Sequence, residues 1–103
     1  FDTDEFQLKQ ESMAALKIIA KYLKENPDKQ FLVVGHTDSA GAFVLNITLS
    51  QNRALSVVNE LVSNYGINKK QLKAYGVGPA APVTTNSTKE GKARNRRVEL
   101  VEQ

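Results

Sequence analysis

Residues 35–54 read GHTDSAGAFVLNITLSQNRA and join the most apolar short run of the sequence to its longest amphipathic stretch. The apolar run, FLVV at 31–34, is bounded by polar residues and Gly35, which is typical of a short buried strand. A helix is predicted over 43–65, because apolar residues recur there at intervals of three and four and Gly66 follows as a helix-ending residue. The quoted segment is therefore a strand–loop–helix junction, where ligands usually bind in α/β domains.

Polar and charged side chains converge on this junction. Asp38 lies on the loop, and Arg53 is expected one to two turns inside the helix. Asn46 and Ser50 share the helix face of Arg53, and that face is expected near the helix N-terminus, where the dipole favours anions. An acid beside a guanidinium suits a ligand that carries both an ammonium and a carboxylate. A second interpretation stays open at this point, in which Asp38 and Arg53 simply pair with each other.

The remaining elements extend outward from the junction. The pattern predicts a first helix over 10–26, a strand over 72–77, a short helical turn over 88–93 and a final strand over 97–101. Residues 1–4 are interpreted as the end of a strand that is truncated at the N-terminus. The order β-α-β-α-β-(short turn or helix)-β predicts one domain over residues 1–103 with an α/β (α+β) fold. We expect a two-layer sandwich in which the helices cover one face of a mixed sheet.

Composition narrows the class of protein. Apolar residues make up 41% and charged residues 24%, as in folded domains, and the absence of cysteine excludes disulfides and thiolate metal sites. With a single histidine, His36, a zinc site fits poorly, and no metal or cofactor is predicted. No apolar run is long enough to span a membrane and no signal segment opens the chain. Any anchoring element is therefore expected to have been removed or to lie outside these residues.

Catalysis and nucleic-acid binding both fit poorly. Ser50 lies within a helix rather than on the strained turn that presents a nucleophile, so His36 and Ser50 do not predict an enzyme. His36 is instead predicted to be a structural hydrogen-bonding residue at the strand end. The cluster of Arg94, Arg96 and Arg97 is not interleaved with aromatic side chains, so nucleic acid is not a predicted partner. A solvated basic tail is the plain alternative for that cluster.

Three blocks occur in order along the chain: GHTD at 35–38, NITLSQNRA at 46–54 and NRRVEL at 95–100. Together they resemble the OmpA-like domain, the shared C-terminal module of OmpA and MotB proteins, and the match covers essentially the whole chain. GHTD alone would be a weak signal, whereas three blocks at these separations are specific. The sequence departs from the family pattern at its start, where most of the first strand is missing, and at Leu45, where an aromatic residue is common.

The resemblance implies a noncatalytic module that binds peptidoglycan in the periplasm of Gram-negative bacteria. In the family, the aspartate of GHTD and the arginine of LSxxRA hold the diaminopimelate residue of the peptide stem, and here those positions are Asp38 and Arg53. The resemblance places further residues around the pocket: Thr37, Asn46, Asn95, Arg96 and, after the first strand, Asp4. Because an apolar stripe stabilises the second helix, Arg53→Ala is expected to abolish wall binding and leave the fold intact.

Two functions are therefore weighed. The first is a binding module that anchors a parent envelope protein to the cell wall from the periplasmic side of the outer membrane, or of the inner membrane in a stator-type protein. The parent protein is expected to be membrane-attached through a region outside this chain. The alternative is a protein-interaction or oligomerisation domain of the same fold, in which the pocket is vestigial.

Overall fold

The computed structural model describes the backbone of residues 10–103, together with the side chains of that range other than those of residues 10–14 and 93. Its elements in chain order are α1 Gln10–Glu25, β1 Phe31–Gly35, α2 Phe43–Tyr65, a short 3-10 helix Lys69–Gln71, β2 Leu72–Gly76, α3 Lys89–Asn95 and β3 Val98–Glu102. The described elements follow the predicted order, and their bounds agree with the predicted bounds to within about two residues at each end. The strand predicted at residues 1–4 lies outside the described residues.

The three described strands form a mixed sheet in the order β2-β1-β3. β1 pairs with β2 in parallel, with Val33 opposite Ala74, and pairs with β3 antiparallel, with Val33 opposite Leu100. Burial alternates along β1, where Phe31 and Val33 are buried and the residues between them are partly exposed. One face of the sheet is therefore the core face, as the prediction of a two-layer sandwich requires.

The hydrophobic core lies between that face and the helices α1 and α2. Its buried members are Leu16, Ala20, Leu23, Phe31, Val33, Ala54, Val57, Leu61, Ile67 and Leu72. The helical residues in this set recur every three or four positions, so the apolar stripes predicted for both helices are confirmed. Within the described part of the chain, no helix has the length and apolar character needed to cross a membrane.

Two glycines let α2 pack directly on the ends of the strands. A Cβ atom at Gly35 would overlap the backbone of Ser50, and one at Gly76 would overlap the backbone of Gln51. The Ser50 hydroxyl accepts a hydrogen bond from the Gly78 amide at 2.9 Å, which ties α2 to the loop after β2. This close approach sets the helix face that carries Ser50 against the carboxyl ends of β1 and β2.

Candidate functional site

The predicted site residues meet at the carboxyl end of β1, around a cavity of about 10 Å³. Its lining comprises Thr37, Asp38, Ala40, Asn46, Leu49, Arg53 and Arg96. A space of this size holds at most one water molecule, so the site is largely filled by its own side chains. Larger cavities of about 280 Å³ lie between α1, α2 and β3 and beside β1 and β2. The first of these is also lined by an acid and two arginines, Glu99, Arg96 and Arg97, but the predicted residues Asp38 and Arg53 line the small cavity.

Asp38 is buried at the centre of this site, with 4% of its surface exposed. Its Oδ1 accepts a hydrogen bond from the Ala40 amide at 2.9 Å, which folds the loop back on itself. Its Oδ2 accepts from Nη1 of Arg96 at 2.7 Å, a charge-assisted hydrogen bond. The sequence left open a pair between Asp38 and Arg53, whereas the ion pair in the structure joins Asp38 to Arg96.

Arg53 is fully buried, with 0% of its surface exposed. Its Nη1 donates a hydrogen bond to the main-chain carbonyl of His36 at 3.2 Å, so the guanidinium braces the loop that carries Asp38. Arg53 lies ten residues after Phe43, the first residue of α2, which is about 15 Å along the helix axis. The expectation that it sits within two turns of the helix start is therefore wrong. Help from the helix dipole does not reach it, because that effect falls off within the first turn.

Asn46, in the first turn of α2, holds the same loop from the other side. Its Nδ2 donates to the Ala40 carbonyl at 2.8 Å, and 6% of the residue is exposed. Asn46, Ser50 and Arg53 are all buried on one face of α2, which confirms the face predicted from their spacing.

Asn95 is fully buried at the end of α3, and its side-chain amide is saturated by the chain itself. Its Oδ1 accepts from the amides of Val83 and Thr84 at 2.8 and 3.2 Å. Its Nδ2 donates to the Thr84 carbonyl at 3.1 Å and to Oδ1 of Asn86 at 2.8 Å. We interpret Asn95 as the residue that shapes the loop over 83–86, beside the cavity rather than in its lining.

Thr37 brings an unusual polar atom to the site. Its amide donates to the Gly78 carbonyl at 2.9 Å, and 3% of the residue is exposed. Its Oγ1 is buried and has no hydrogen-bond partner among the described residues. Leaving such a group unpaired costs about 1–3 kcal/mol, which a ligand atom that bonds to it would recover.

His36 makes the structural hydrogen bonds predicted for it through its backbone, since its amide donates to the Arg97 carbonyl at 2.7 Å and its carbonyl accepts from Arg53. The ring is buried, with Nε2 at 3.8 Å from Oε1 of Glu99 and Nδ1 without a partner in the described part of the chain. Burial lowers the pKa of His36 below its usual value, the Arg97 charge lowers it further, and Glu99 partly opposes both. The imidazole is therefore neutral at pH 7.

The structure thus brings together five of the predicted site residues in one cavity lining, namely Thr37, Asp38, Asn46, Arg53 and Arg96. Asp4, predicted on the rim, lies outside the described residues. Sequence reasoning missed the contributions of Ala40, whose backbone groups bond to both Asp38 and Asn46, and of Leu49. Main-chain partners of this kind leave no residue-type signal in a sequence.

Comparisons with protein families, with individual proteins and with solved structures agree with one another. Residues 1–96 match the model of the OmpA family. The chain is 44% identical over 100 residues to the probable lipoprotein YiaD of Escherichia coli K12, covering 97% of this chain and 45% of that protein. The chain therefore spans less than half the length of this curated relative.

Solved structures resemble the fold closely. The peptidoglycan-associated lipoprotein from Burkholderia pseudomallei has a TM-score of 0.93 and 35% identity, covering 100% of this chain and 86% of that one. The cell wall anchor of the T6SS from Pseudomonas aeruginosa has a TM-score of 0.80 and 36% identity, covering 97% of this chain and 71% of that one.

Proposed function

The chain belongs to the OmpA family, and from this we propose that it binds peptidoglycan noncovalently and anchors a parent envelope protein to the cell wall. One similar structure is that of a peptidoglycan-associated lipoprotein and another is that of a cell wall anchor, which supports this function. The observation that carries the proposal is the convergence of the Asp38 carboxylate and the guanidinium groups of Arg53 and Arg96 on one small cavity at the carboxyl end of β1.

The ligand group proposed for this cavity is the free end of meso-diaminopimelate in the peptide stem. That end carries an ammonium and a carboxylate on one carbon, so it complements a site with both charges. Asp38 accepts from the ammonium, and Arg53 donates to the carboxylate through its planar fork. The buried Oγ1 of Thr37 supplies a further polar contact, and Asn46 holds the loop in place.

The two remaining site residues keep separate roles in this proposal. Asp4 contributes to the rim of the pocket. Asn95 acts through the loop over 83–86, because its own amide groups are already hydrogen-bonded within the chain.

The proposed role is noncatalytic. The Ser50 hydroxyl donates to the Ile47 carbonyl at 2.8 Å and accepts from the Gly78 amide, so it is engaged in joining α2 to the loop after β2. The proposed location is the periplasm, with the parent protein attached to the outer membrane, or to the inner membrane in a stator-type protein. The parent's attachment is proposed to lie in a region outside this chain.

Cosedimentation with purified peptidoglycan sacculi tests the function. The wild-type domain should pellet with diaminopimelate-containing sacculi, and Asp38→Asn should remain in the supernatant. A folded wild-type domain that never pellets would instead favour the alternative of a protein-interaction or oligomerisation domain with a vestigial pocket. Two observations favour this alternative: Arg53 is fully buried, and the cavity is small.

A further inference from the structure

In the structure, Arg96 binds the carboxylate of Asp38. The proposed function assigns this carboxylate to the ammonium of the ligand. It follows α3 and precedes β3, and its Nη1 lies 2.7 Å from Oδ2 of Asp38. The other carboxylate oxygen of Asp38 accepts from the Ala40 amide. Each carboxylate oxygen can accept a further hydrogen bond, but a cavity of about 10 Å³ has no room for an ammonium beside the guanidinium, so we expect a ligand ammonium to displace Arg96 from Asp38.

Arg96 also has the most exposed side chain among the charged lining residues. Its side chain is 16% exposed, whereas that of Asp38 is 6% exposed and Arg53 is fully buried. The loop that carries Asp38 is tied to its surroundings by the amide of Thr37 and by the side chain of Asn46. Arg96 in addition borders the cavity of about 280 Å³ between α1, α2 and β3, so there is space beside its side chain.

We propose that Arg96 closes the site in the free protein and restricts it to ligands that bring a carboxylate together with their ammonium. This inference rests on the proposed function and deepens it. The ammonium of the ligand takes the place of the Arg96 guanidinium at Asp38. The displaced guanidinium of Arg96 then meets the carboxylate of the same ligand, beside Arg53.

The charges that line the cavity explain this selectivity. Among the described lining residues, Asp38 contributes one negative charge and Arg53 and Arg96 contribute two positive charges. A zwitterionic ligand leaves the net charge of the site unchanged, whereas a ligand with an ammonium alone raises it by one. Adding an uncompensated charge beside the buried Asp38 and Arg53 is strongly unfavourable, since little water is present to solvate it. Arg96 therefore makes the carboxylate a requirement.

The test compares two stem tripeptides, L-Ala-γ-D-Glu-meso-diaminopimelate and L-Ala-γ-D-Glu-L-Lys, by titration against the wild-type domain and variants. The variant is Arg96→Gln, which removes the guanidinium from Asp38. The matched control is Arg94→Gln, two residues earlier on the exposed side of α3, which loses the same formal charge. Thermal unfolding of each variant shows that it is folded.

We expect Arg96→Gln to reduce the preference for the diaminopimelate tripeptide by about tenfold or more, mainly by tighter binding of the lysine tripeptide. Arg94→Gln should keep the wild-type preference. Arg96→Lys, which restores the cation, should recover most of it. Association of the diaminopimelate tripeptide should also be faster with Arg96→Gln, because no internal cation has to leave Asp38 first.

Other outcomes would overturn the inference. A folded Arg96→Gln domain with wild-type preference would show that Arg53 alone selects the carboxylate. The proposed function would then stand, and the closing role of Arg96 would be wrong. Equal weakening of both tripeptides would make Arg96 a supporting residue with no role in selectivity. If the wild-type domain bound neither tripeptide and no sacculi, the proposed function itself would fail, and this inference with it.

Discussion

The carboxylate of Asp38 and the guanidinium of Arg96 lie 2.7 Å apart, although 58 positions separate the two residues in the sequence. The pair joins the loop after β1 to the segment between α3 and β3, so the acid at the centre of the site is partnered from the far end of the chain. Because the cavity beside this contact is only about 10 Å³, a ligand group that binds Asp38 is expected to displace Arg96.

Asp38→Asn should abolish peptidoglycan binding while keeping the fold. Asparagine keeps the oxygen that accepts from the Ala40 amide, but its NH2 group replaces the oxygen that accepts from Arg96, so the charge and the ion pair are lost. Losing one partner of a desolvated charge pair typically costs about 2–5 kcal/mol of binding free energy. Cosedimentation with sacculi measures the effect, and Asp28→Asn, at an exposed loop position, is the matched control. Wild-type binding by Asp38→Asn would remove Asp38 from the site.

Arg53→Ala should both lose binding and destabilise the fold. The expectation from the sequence, that the fold would stay intact, does not allow for a side chain that is fully buried and hydrogen-bonded to the His36 carbonyl. The carbonyl left unpaired costs about 1–3 kcal/mol, and the vacated space adds to that. Denaturant unfolding measures the change, with the exposed α2 substitution Thr48→Ala as the control. Equal unfolding free energies for Arg53→Ala and Thr48→Ala would contradict the buried position of Arg53.

Asn95→Ala should act on the loop over 83–86. Four hydrogen bonds to that loop disappear, and the free energy of unfolding should fall by about 2 kcal/mol or more. Hydrogen exchange at the amides of Val83 and Thr84 should accelerate. Asn64→Ala, at an exposed position of α2, should change neither quantity. If Asn95→Ala lost peptidoglycan binding with unchanged stability and exchange, Asn95 would be a direct ligand contact instead.

Stability should fall as the pH drops below about 6.5, the ordinary pKa of histidine. The pKa of His36 is lowered in the folded protein, so the unfolded chain binds the proton more readily. The stabilisation that neutral His36 contributes is therefore complete above pH 6.5 and is lost as the pH falls toward the pKa of His36 in the folded protein. Urea unfolding at pH 7.5, 6.5 and 5.5 measures it. His36 is the single histidine of the chain, so this contribution to the slope should vanish in His36→Gln. An identical slope in that variant would contradict the lowered pKa.

The fold was largely predictable because local signals agree with one another. Helix α2 begins at Phe43 and ends at Tyr65 as its apolar periodicity predicts, and Gly66 ends it with a φ of 70° in the left-handed region. The short helix α3 shows where local signals are imprecise. Thr88 is its cap, since the Thr88 hydroxyl accepts from the Gly91 amide, so the helix starts one residue later than predicted and runs to Asn95.

The candidate site was predictable in its membership and not in its contacts. Residue types pointed to Asp38 and Arg53, and the resemblance to the OmpA-like domain added Arg96 to the expected pocket. Their pairing depends on how α3 and β3 return to the loop after β1, which no local pattern encodes. The depth of Arg53 follows from the close packing of α2 on Gly35 and Gly76, and this is likewise a tertiary effect.

Calorimetric titration of the wild-type domain with the diaminopimelate and lysine tripeptides, at low and high salt, tests the zwitterion-binding site most directly. Because the cavity is small and Asp38 and Arg53 are buried, we predict binding of the diaminopimelate tripeptide at both salt concentrations and rejection of the lysine tripeptide at both. Amidation of the second carboxylate of diaminopimelate should weaken binding in the same direction. Equal affinity for the two tripeptides, lost together as salt is raised, would instead indicate diffuse attraction by surface arginines and would contradict the assigned pocket.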